Sequence, residues 1–328
     1  MLYPLTFRPI FKERVWGGRN LERLYRKPLP PGVPIGESWE ISDRPGDVSV
    51  IANGPLAGKD LHWLMENHAK ELFGDAIVTS ERFPLLIKIL DAEEKLSLQV
   101  HPPEHKAAEL GGEPKTEMWY IADAKPDAEL YVGLKRGVTR EEFERKIKAG
   151  EVADCFHRVS VKPGDVMFLP SGRVHAIGAG LVIFEIQQNS DTTYRVFDWN
   201  RVGLDGKPRA LHIPESLASI DFEDFEPEAI RTAHGAQQLL SVGNTGRQVV
   251  NCPLFNVVSF DFNSAGSVLL NFDELRIIGV IKGRVMVTDG NQRSELKAGD
   301  FCMVPANLKP SEVWFEADTT FLSIGTGK

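Results

Sequence analysis

Residues 162–175 read Lys-Pro-Gly-Asp-Val-Met-Phe-Leu-Pro-Ser-Gly-Arg-Val-His. Gly164-Asp165 is turn chemistry, Val166 to Leu169 is a short apolar run of strand type, and Pro170 with Gly172 closes it in a second turn. The pattern G-D-x-x-x-x-P-x-G-x-x-H describes a strand held between two turns that delivers the imidazole of His175 to the inside of a β-barrel. Lys297-Ala298-Gly299-Asp300-Phe301-Cys302-Met303-Val304-Pro305 repeats the strand and its turns. In that second copy Pro310 stands where the histidine would fall. Two barrels are expected, one built around an imidazole and one without it.

The rest of the chain agrees with an antiparallel all-β body. β-branched and aromatic runs closed by Gly, Pro, Asn or Asp place strands over 83–90, 95–100, 117–122, 166–169, 181–187, 255–262, 275–280 and 284–288, with a tight hairpin at 281–284. Helical spacing is confined to 60–73, to 139–149, which opens on the capping box Thr139-x-x-Glu142, and to 214–220, with a proline in its first turn. The histidine-bearing pattern resembles that of cupins. The expectation is an all-β dominated chain of two cupin (jelly-roll β-barrel) domains with a few short inserted helices. The first domain would span 1–228, with small helical insertions at about 60–75 and 139–150, and carry the metal. The second, 229–328, would be a degenerate cupin without metal, joined after the acidic stretch 221–228 around 229–239.

With 328 residues, 42% hydrophobic and 26% charged, the chain has the mass and composition of a globular protein of one large or two smaller domains. A net charge of −8 with no Lys/Arg block argues against a nucleic-acid partner, although a few local cations can reverse the field inside a pocket. Cys155, Cys252 and Cys302 are far apart and form no C-x-x-C pair, which suits a reducing compartment and neither a disulfide framework nor a four-cysteine zinc site. Residues 1–9 do not read as a signal peptide, and no apolar run is long enough to cross a bilayer, so no membrane partner and a cytoplasmic location are expected.

Chemistry concentrates at four residues. Gln99 and His101 are i and i+2 on an extended segment and leave one face of it, and Glu117 opens a strand. Antiparallel strands can bring these together with His175 although they are distant in sequence. Two imidazoles and one carboxylate can hold zinc with an open position, or form the facial triad of ferrous oxygenases. Gln99 as a neutral oxygen ligand shifts the balance to a redox-silent ion, and zinc is expected. His62, His68, His157 and His234 have no such context and read as ordinary histidines.

The motifs carry a resemblance. Ser97-Leu98-Gln99-Val100-His101-Pro102 resembles the S-x-Q-V-H-P motif of type I phosphomannose isomerases, and Lys115-Thr116-Glu117-Met118 their K-P-E-M motif. Ser190-Asp191-Thr192-Thr193-Tyr194-Arg195 is similar to S-D-x-x-x-R, and Gly36-Glu37-Ser38-Trp39-Glu40 to G-E-x-W-E. The likeness spans the chain in the family's order. It implies reversible interconversion of mannose 6-phosphate and fructose 6-phosphate with one zinc per chain, held by Gln99, His101, Glu117 and His175, and a catalytic Arg195. One departure matters. The G-L-T-P-K run that follows the arginine in longer members is replaced by Val196-Phe197-Asp198-Trp199-Asn200-Arg201, so the lysine of that run, which helps define the sugar-phosphate site, has no match. Lys207 and Arg209 are candidates to substitute for it.

An aldose–ketose isomerase must open the sugar ring and move a proton between C1 and C2 through an enediol(ate). Arg195 cannot act as a base and would stabilise the enediolate. Lys115, two residues from a ligand, is the candidate for proton transfer, its pKa depressed by a nearby dication. Lys88 interrupts an apolar strand and would point into a wet cavity. Ser97 faces the side of Gln99 and His101 and would contact phosphate, and Asp191 would assist ring opening. The expected partner is a small sugar phosphate, and the expected assembly a monomer or homodimer. Alternatives are an isomerase of unphosphorylated aldoses, a ferrous cupin dioxygenase, and a non-catalytic sugar-binding bicupin.

Overall fold

The structure is a computed structural model that describes residues 2–75, 80–231, 244–270, 274–289, 291–306, 308 and 311–327. A six-stranded antiparallel sheet runs in the order β1 (Ile10–Gly18), β2 (Ile35–Ile41), β5 (Leu85–Ala92), β12 (Leu181–Gln188), β7 (Glu117–Ala124), β10 (Val166–Leu169). A five-stranded sheet packs against it in the order β13 (Tyr194–Phe197), β6 (Leu98–Val100), β11 (His175–Ile177), β8 (Glu129–Leu134), β9 (Phe156–Ser160). A two-stranded ribbon, β3 (Asp43–Arg44) and β4 (Asp47–Val48), lies beside them. The C-terminal part makes a five-stranded sheet of β14 (Asn244–Asn251), β15 (Phe255–Phe262), β22 (Thr319–Thr326), β17 (Arg276–Lys282) and β20 (Phe301–Val304). Its companion has four strands, β16 (Gly266–Leu270), β21 (Ser311–Phe315), β18 (Arg284–Thr288) and β19 (Arg293–Lys297). The result is two jelly rolls, the β-rich cupin architecture expected.

The six-stranded sheet is buried on both faces, which explains its near-continuous apolar strands. In β12, Phe184 and Ile186 join a core with Phe301, Leu322 and Ile324 of the C-terminal sheet. The alternate residues Leu181 and Ile183 join the barrel interior with Trp119, Leu130 and Met167. The rings of Phe184 and Phe301 meet at 5.4 Å between centroids. Each such buried side chain contributes roughly 1.5–3 kcal/mol. Leu5 adds a backbone tie, exchanging two 2.8 Å hydrogen bonds with Met303.

Among the described residues five α-helices decorate the sheets, α1 (Asn20–Tyr25), α2 (Leu61–Phe73), α3 (Glu104–Ala107), α4 (Arg140–Ala149) and α5 (Ile213–Ser219), with one 3-10 turn at Val152–Cys155. In α2, Asp60 caps the backbone N–H of Trp63 at 2.8 Å, and Leu61, Leu64, Met65, Leu72 and Phe73 are buried. In α4, Thr139 Oγ1 accepts from the N–H of Glu142 at 3.2 Å, as its capping box requires. α1 and α3 are too short to show periodicity and were not expected. Residues 281–284 are not a hairpin. β17 pairs with β20 and β22 while β18 pairs with β19 and β21, so the chain turns a corner between two sheets, using Gly283 at φ 83°. Pro310, His234 and residues 232–239 of the expected joint lie outside the described residues. Among the described residues no helix is long and apolar enough to cross a membrane.

Candidate active site and metal centre

Strand register aligns the site. Gln99 on β6 stands opposite His175 on β11 and opposite Arg195 on β13, so the three form one lateral row. On the six-stranded sheet a second row runs Trp39, Lys88, Glu185, Trp119 across β2, β5, β12 and β7. Glu117 lies two residues before Trp119 on β7 and shares its face. The rings of Trp119 and His175 meet edge to face at 5.3 Å, so the two rows look at each other across the barrel.

His101, Glu117 and His175 form the metal-ready group, with one ligand atom from each lying within 4.8 Å of the others. His175 Nε2 is 3.3 Å from Glu117 Oε1, and His101 Nε2 is 3.6 Å from Glu117 Oε2. Each ring is oriented from behind: His101 Nδ1 bonds the carbonyl of Thr192 at 2.8 Å, and His175 Nδ1 that of Arg173 at 2.9 Å. A carbonyl only accepts, so each Nδ1 carries the proton and each Nε2 keeps a lone pair aimed inward. Burial lowers both imidazoles, His175 to about 4 and His101 well below its ordinary value, and both are neutral. Burial pushes the Glu117 carboxyl up to about 7 against the pull of Lys115. Among the described residues, His101 Nε2 and Glu117 Oε1 are buried without a hydrogen-bond partner, while Glu117 Oε2 has the Lys115 ammonium at 3.1 Å. Two neutral imidazoles and a carboxylate with orphaned atoms facing one point fit a divalent cation. Gln99 turns Nε2 to His175 at 3.3 Å and Oε1 to the hydroxyl of Ser97. A half-turn of the amide exchanges the two atoms without moving the side chain.

A cavity of about 560 Å³ opens beside this cluster. Of the residues singled out in the sequence, Lys88, Ser97, Gln99, Lys115, Asp191, Arg195 and Arg209 line it. Lys207 does not; it is exposed, with its backbone N–H on Asp205. Lys115 Nζ is 3.1 Å from Glu117 Oε2. Burial alone would lower its ammonium, but Glu117, Glu185 and Asp191 outweigh it and draw it upward, so without a cation on Glu117 the amine stays charged. Arg195 donates from Nη1 to the carbonyl of Ala210 at 2.8 Å, and its Nε has no partner among the described residues. Burial, with Arg209 and Arg201 nearby, lowers it.

Sequence reasoning missed Glu185, which binds Lys88 and accepts from Trp119 Nε1 at 3.0 Å, and Glu37, which accepts from Arg14 and from Trp39 Nε1. A signal for Glu185 existed. It interrupts the apolar run of β12 as Lys88 interrupts that of β5.

Two jelly rolls with a buried His–Glu–His cluster opening on a charged cavity define a bicupin with one metal-ready barrel. The description "Phosphomannose isomerase type I, catalytic domain" matches residues 5–143. Mannose-6-phosphate isomerase ManA of Bacillus subtilis is 39% identical over 310 residues, covering 93% of this chain and 94% of that protein. A crystal structure of the mannose 6-phosphate isomerase from Bacillus subtilis superposes with a TM-score of 0.87 at 34% identity, over 98% of this chain and 99% of that one. A mannose 6-phosphate isomerase crystallised with zinc and yttrium shares the fold at 17% identity, with a TM-score of 0.73 over 99% of this chain and 100% of that one. The chain belongs to the type I phosphomannose isomerase family, the aldose–ketose isomerases that interconvert mannose 6-phosphate and fructose 6-phosphate.

Proposed function

We propose that the first barrel, within residues 1–228, holds one zinc ion on His101, Glu117, His175 and Gln99 and interconverts mannose 6-phosphate and fructose 6-phosphate in the adjoining cavity. The observation that carries this is the convergence of His101, Glu117 and His175, with His101 Nε2 and Glu117 Oε1 facing inward unpartnered, beside a cavity lined by Lys88, Lys115, Arg195 and Arg209. Zinc supplies Lewis acidity to sugar oxygens there. Lys115 would carry the proton between C1 and C2 only as the neutral amine, a form opposed by its ion pair with Glu117 and made accessible where a cation draws on that carboxylate. Arg195, in the row of Gln99 and His175, stabilises the negative charge of the enediolate with a fixed guanidinium. Asp191, exposed at the cavity wall, assists ring opening, and Ser97 and Lys88 hold the sugar phosphate from the floor. The second barrel, within 229–328, has no role in catalysis; the described residues contain a single His/Asp/Glu/Cys cluster of metal-binding geometry, and it lies in the first barrel. Steady-state rates on mannose 6-phosphate beside mannose, with metal analysis of the same sample, test this reading. Comparable rates on the free sugar would make the substrate an unphosphorylated aldose, and iron in place of zinc would undo the metal assignment.

A further inference from the structure

We propose that Asp198 is a positioning residue that splits its carboxylate between two arginines, so that Arg201 anchors it and Arg209 is held at the cavity wall to receive the anionic end of the substrate. The inference rests on the reading of a phosphorylated substrate. Its starting point is an unusual turn. Trp199 and Asn200 both have positive φ, 57° and 55°, and the N–H of Arg201 returns to the carbonyl of Asp198 at 3.2 Å. Such a turn favours Asn and Gly, and a tryptophan at its first central position is strained. The strain is held by tertiary contacts: Trp199 Nε1 donates to the carbonyl of Leu96 at 2.7 Å, and Lys95 Nζ lies 4.8 Å from the ring centroid. Strained backbone that the surroundings over-determine gathers at functional sites.

The turn places Asp198 and Arg201 side by side. Arg201 Nε donates to Asp198 Oδ1 at 3.0 Å, and Arg201 Nη1 donates to the carbonyl of Lys95. Arg209 approaches the same carboxylate with the other two-pronged edge, Nε to Oδ2 at 2.7 Å and Nη2 to Oδ1 at 2.5 Å. Arg209 lines the substrate cavity, whereas Arg201 and Asp198 do not. The fork through Nε and Nη2 occupies one side of the guanidinium, and among the described residues Nη1 of Arg209 makes no protein hydrogen bond. It remains for a ligand oxygen.

Charge pairing points the same way. Lys88 is paired with Glu185, Lys115 with Glu117, and Arg14 with Glu37. Asp198 alone serves two guanidiniums, and Arg195 beside them has no carboxylate partner among the described residues. Asp205 on the same loop is exposed and caps the N–H of Lys207. The lining as a whole carries as many acids as bases, Glu13, Asp191 and Asp205 included, but Arg14, Lys88 and Lys115 each sit on a carboxylate. With Arg195 turned to the enediolate, Arg209, which shares Asp198 with Arg201, is the lining cation left for a phosphate dianion.

The experiment measures KM and kcat on mannose 6-phosphate and competitive inhibition by inorganic phosphate, for Asp198→Asn, Arg209→Gln and the double variant, with zinc content and thermal midpoint recorded. Losing one charge-assisted contact to the phosphate raises KM and the phosphate Ki about tenfold in each single variant, with kcat changed less than about threefold. Because Asp198 acts through Arg209, the double variant is no worse than either single one, and Arg209→Lys recovers part of the phosphate inhibition. An unchanged phosphate Ki in Arg209→Gln overturns the proposal. So does Asp198→Asn raising KM by the same factor with and without Arg209, or lowering only kcat and the thermal midpoint. If the unaltered protein does not isomerise mannose 6-phosphate, the functional reading fails separately. Calorimetric titration with inorganic phosphate then decides the inference, which stands only if Arg209→Gln weakens binding.

Discussion

Lys88 and Glu185 stand directly opposite one another on β5 and β12, with Nζ 3.3 Å from Oε2 and both side chains buried between Trp39 and Trp119. Lys88 Nζ lies 5.1 Å from the Trp39 ring centroid, and Trp119 Nε1 donates to Glu185. The pair is a floor of fixed charges beneath the cavity. Replacing one partner strands the other in a low-dielectric wall, so Glu185→Leu is expected to cost about 3–5 kcal/mol in urea unfolding. The double variant Lys88→Met/Glu185→Leu should be more stable than Glu185→Leu alone. If its loss equals the sum of the two single losses, the residues are not energetically coupled.

His175→Ala removes one of two imidazoles whose Nε2 atoms face Glu117. Zinc should fall from about one per chain to near zero by elemental analysis, with isomerase activity lost in parallel. The fold should persist, because the core shared between the two barrels and the interior of the C-terminal barrel contain none of the site residues. Full zinc occupancy in this variant would exclude His175 as a ligand.

Arg195→Ala separates binding from chemistry. A guanidinium aimed at charge that develops on the way to the transition state should, when removed, lower kcat about 10²–10³-fold and leave KM nearly unchanged. Zinc content should not move. An unchanged kcat with a strongly raised KM would make Arg195 a clamp for the substrate anion instead.

Glu37 yields a pH prediction. Burial alone would raise its carboxyl, but Lys88, Arg14 and the indole N–H of Trp39 outweigh it and hold it at about 2, against an ordinary 4.5. A folded-state pKa below the unfolded one means stability that is complete above pH 4.5 and drains away as pH falls toward 2. Glu37→Gln should therefore lose about 3 kcal/mol at neutral pH and show a flatter acid limb in denaturation midpoints between pH 3 and 7. Parallel acid limbs for the two proteins would mean that Glu37 is not held in its charged form.

Local signals carried the fold class, because turn chemistry and period-two patterning are properties of neighbouring residues. The strands at 166–169, 255–262 and 284–288, and the cap of α4 at Thr139, were legible with their ends nearly in place. The residues that converge beside the cavity were legible too, since Gln99, His101, Glu117 and His175 stand in short motifs and the structure brings them together. What the patterning could not carry was pairing between distant strands. The corner at Gly283 looked like a hairpin because sequence does not reveal which sheet a strand joins. Glu185 was passed over because its opposition to Lys88 depends on the register of β5 against β12, strands separated by almost a hundred residues. Likewise, only the packed barrel sets the imidazole Nε2 atoms against Glu117, and only the loop closed on Asp198 brings Arg209 to the cavity and leaves Lys207 outside it. Side-chain direction at these places follows from non-local backbone hydrogen bonds and burial on both faces of one sheet, which no window of neighbouring residues contains.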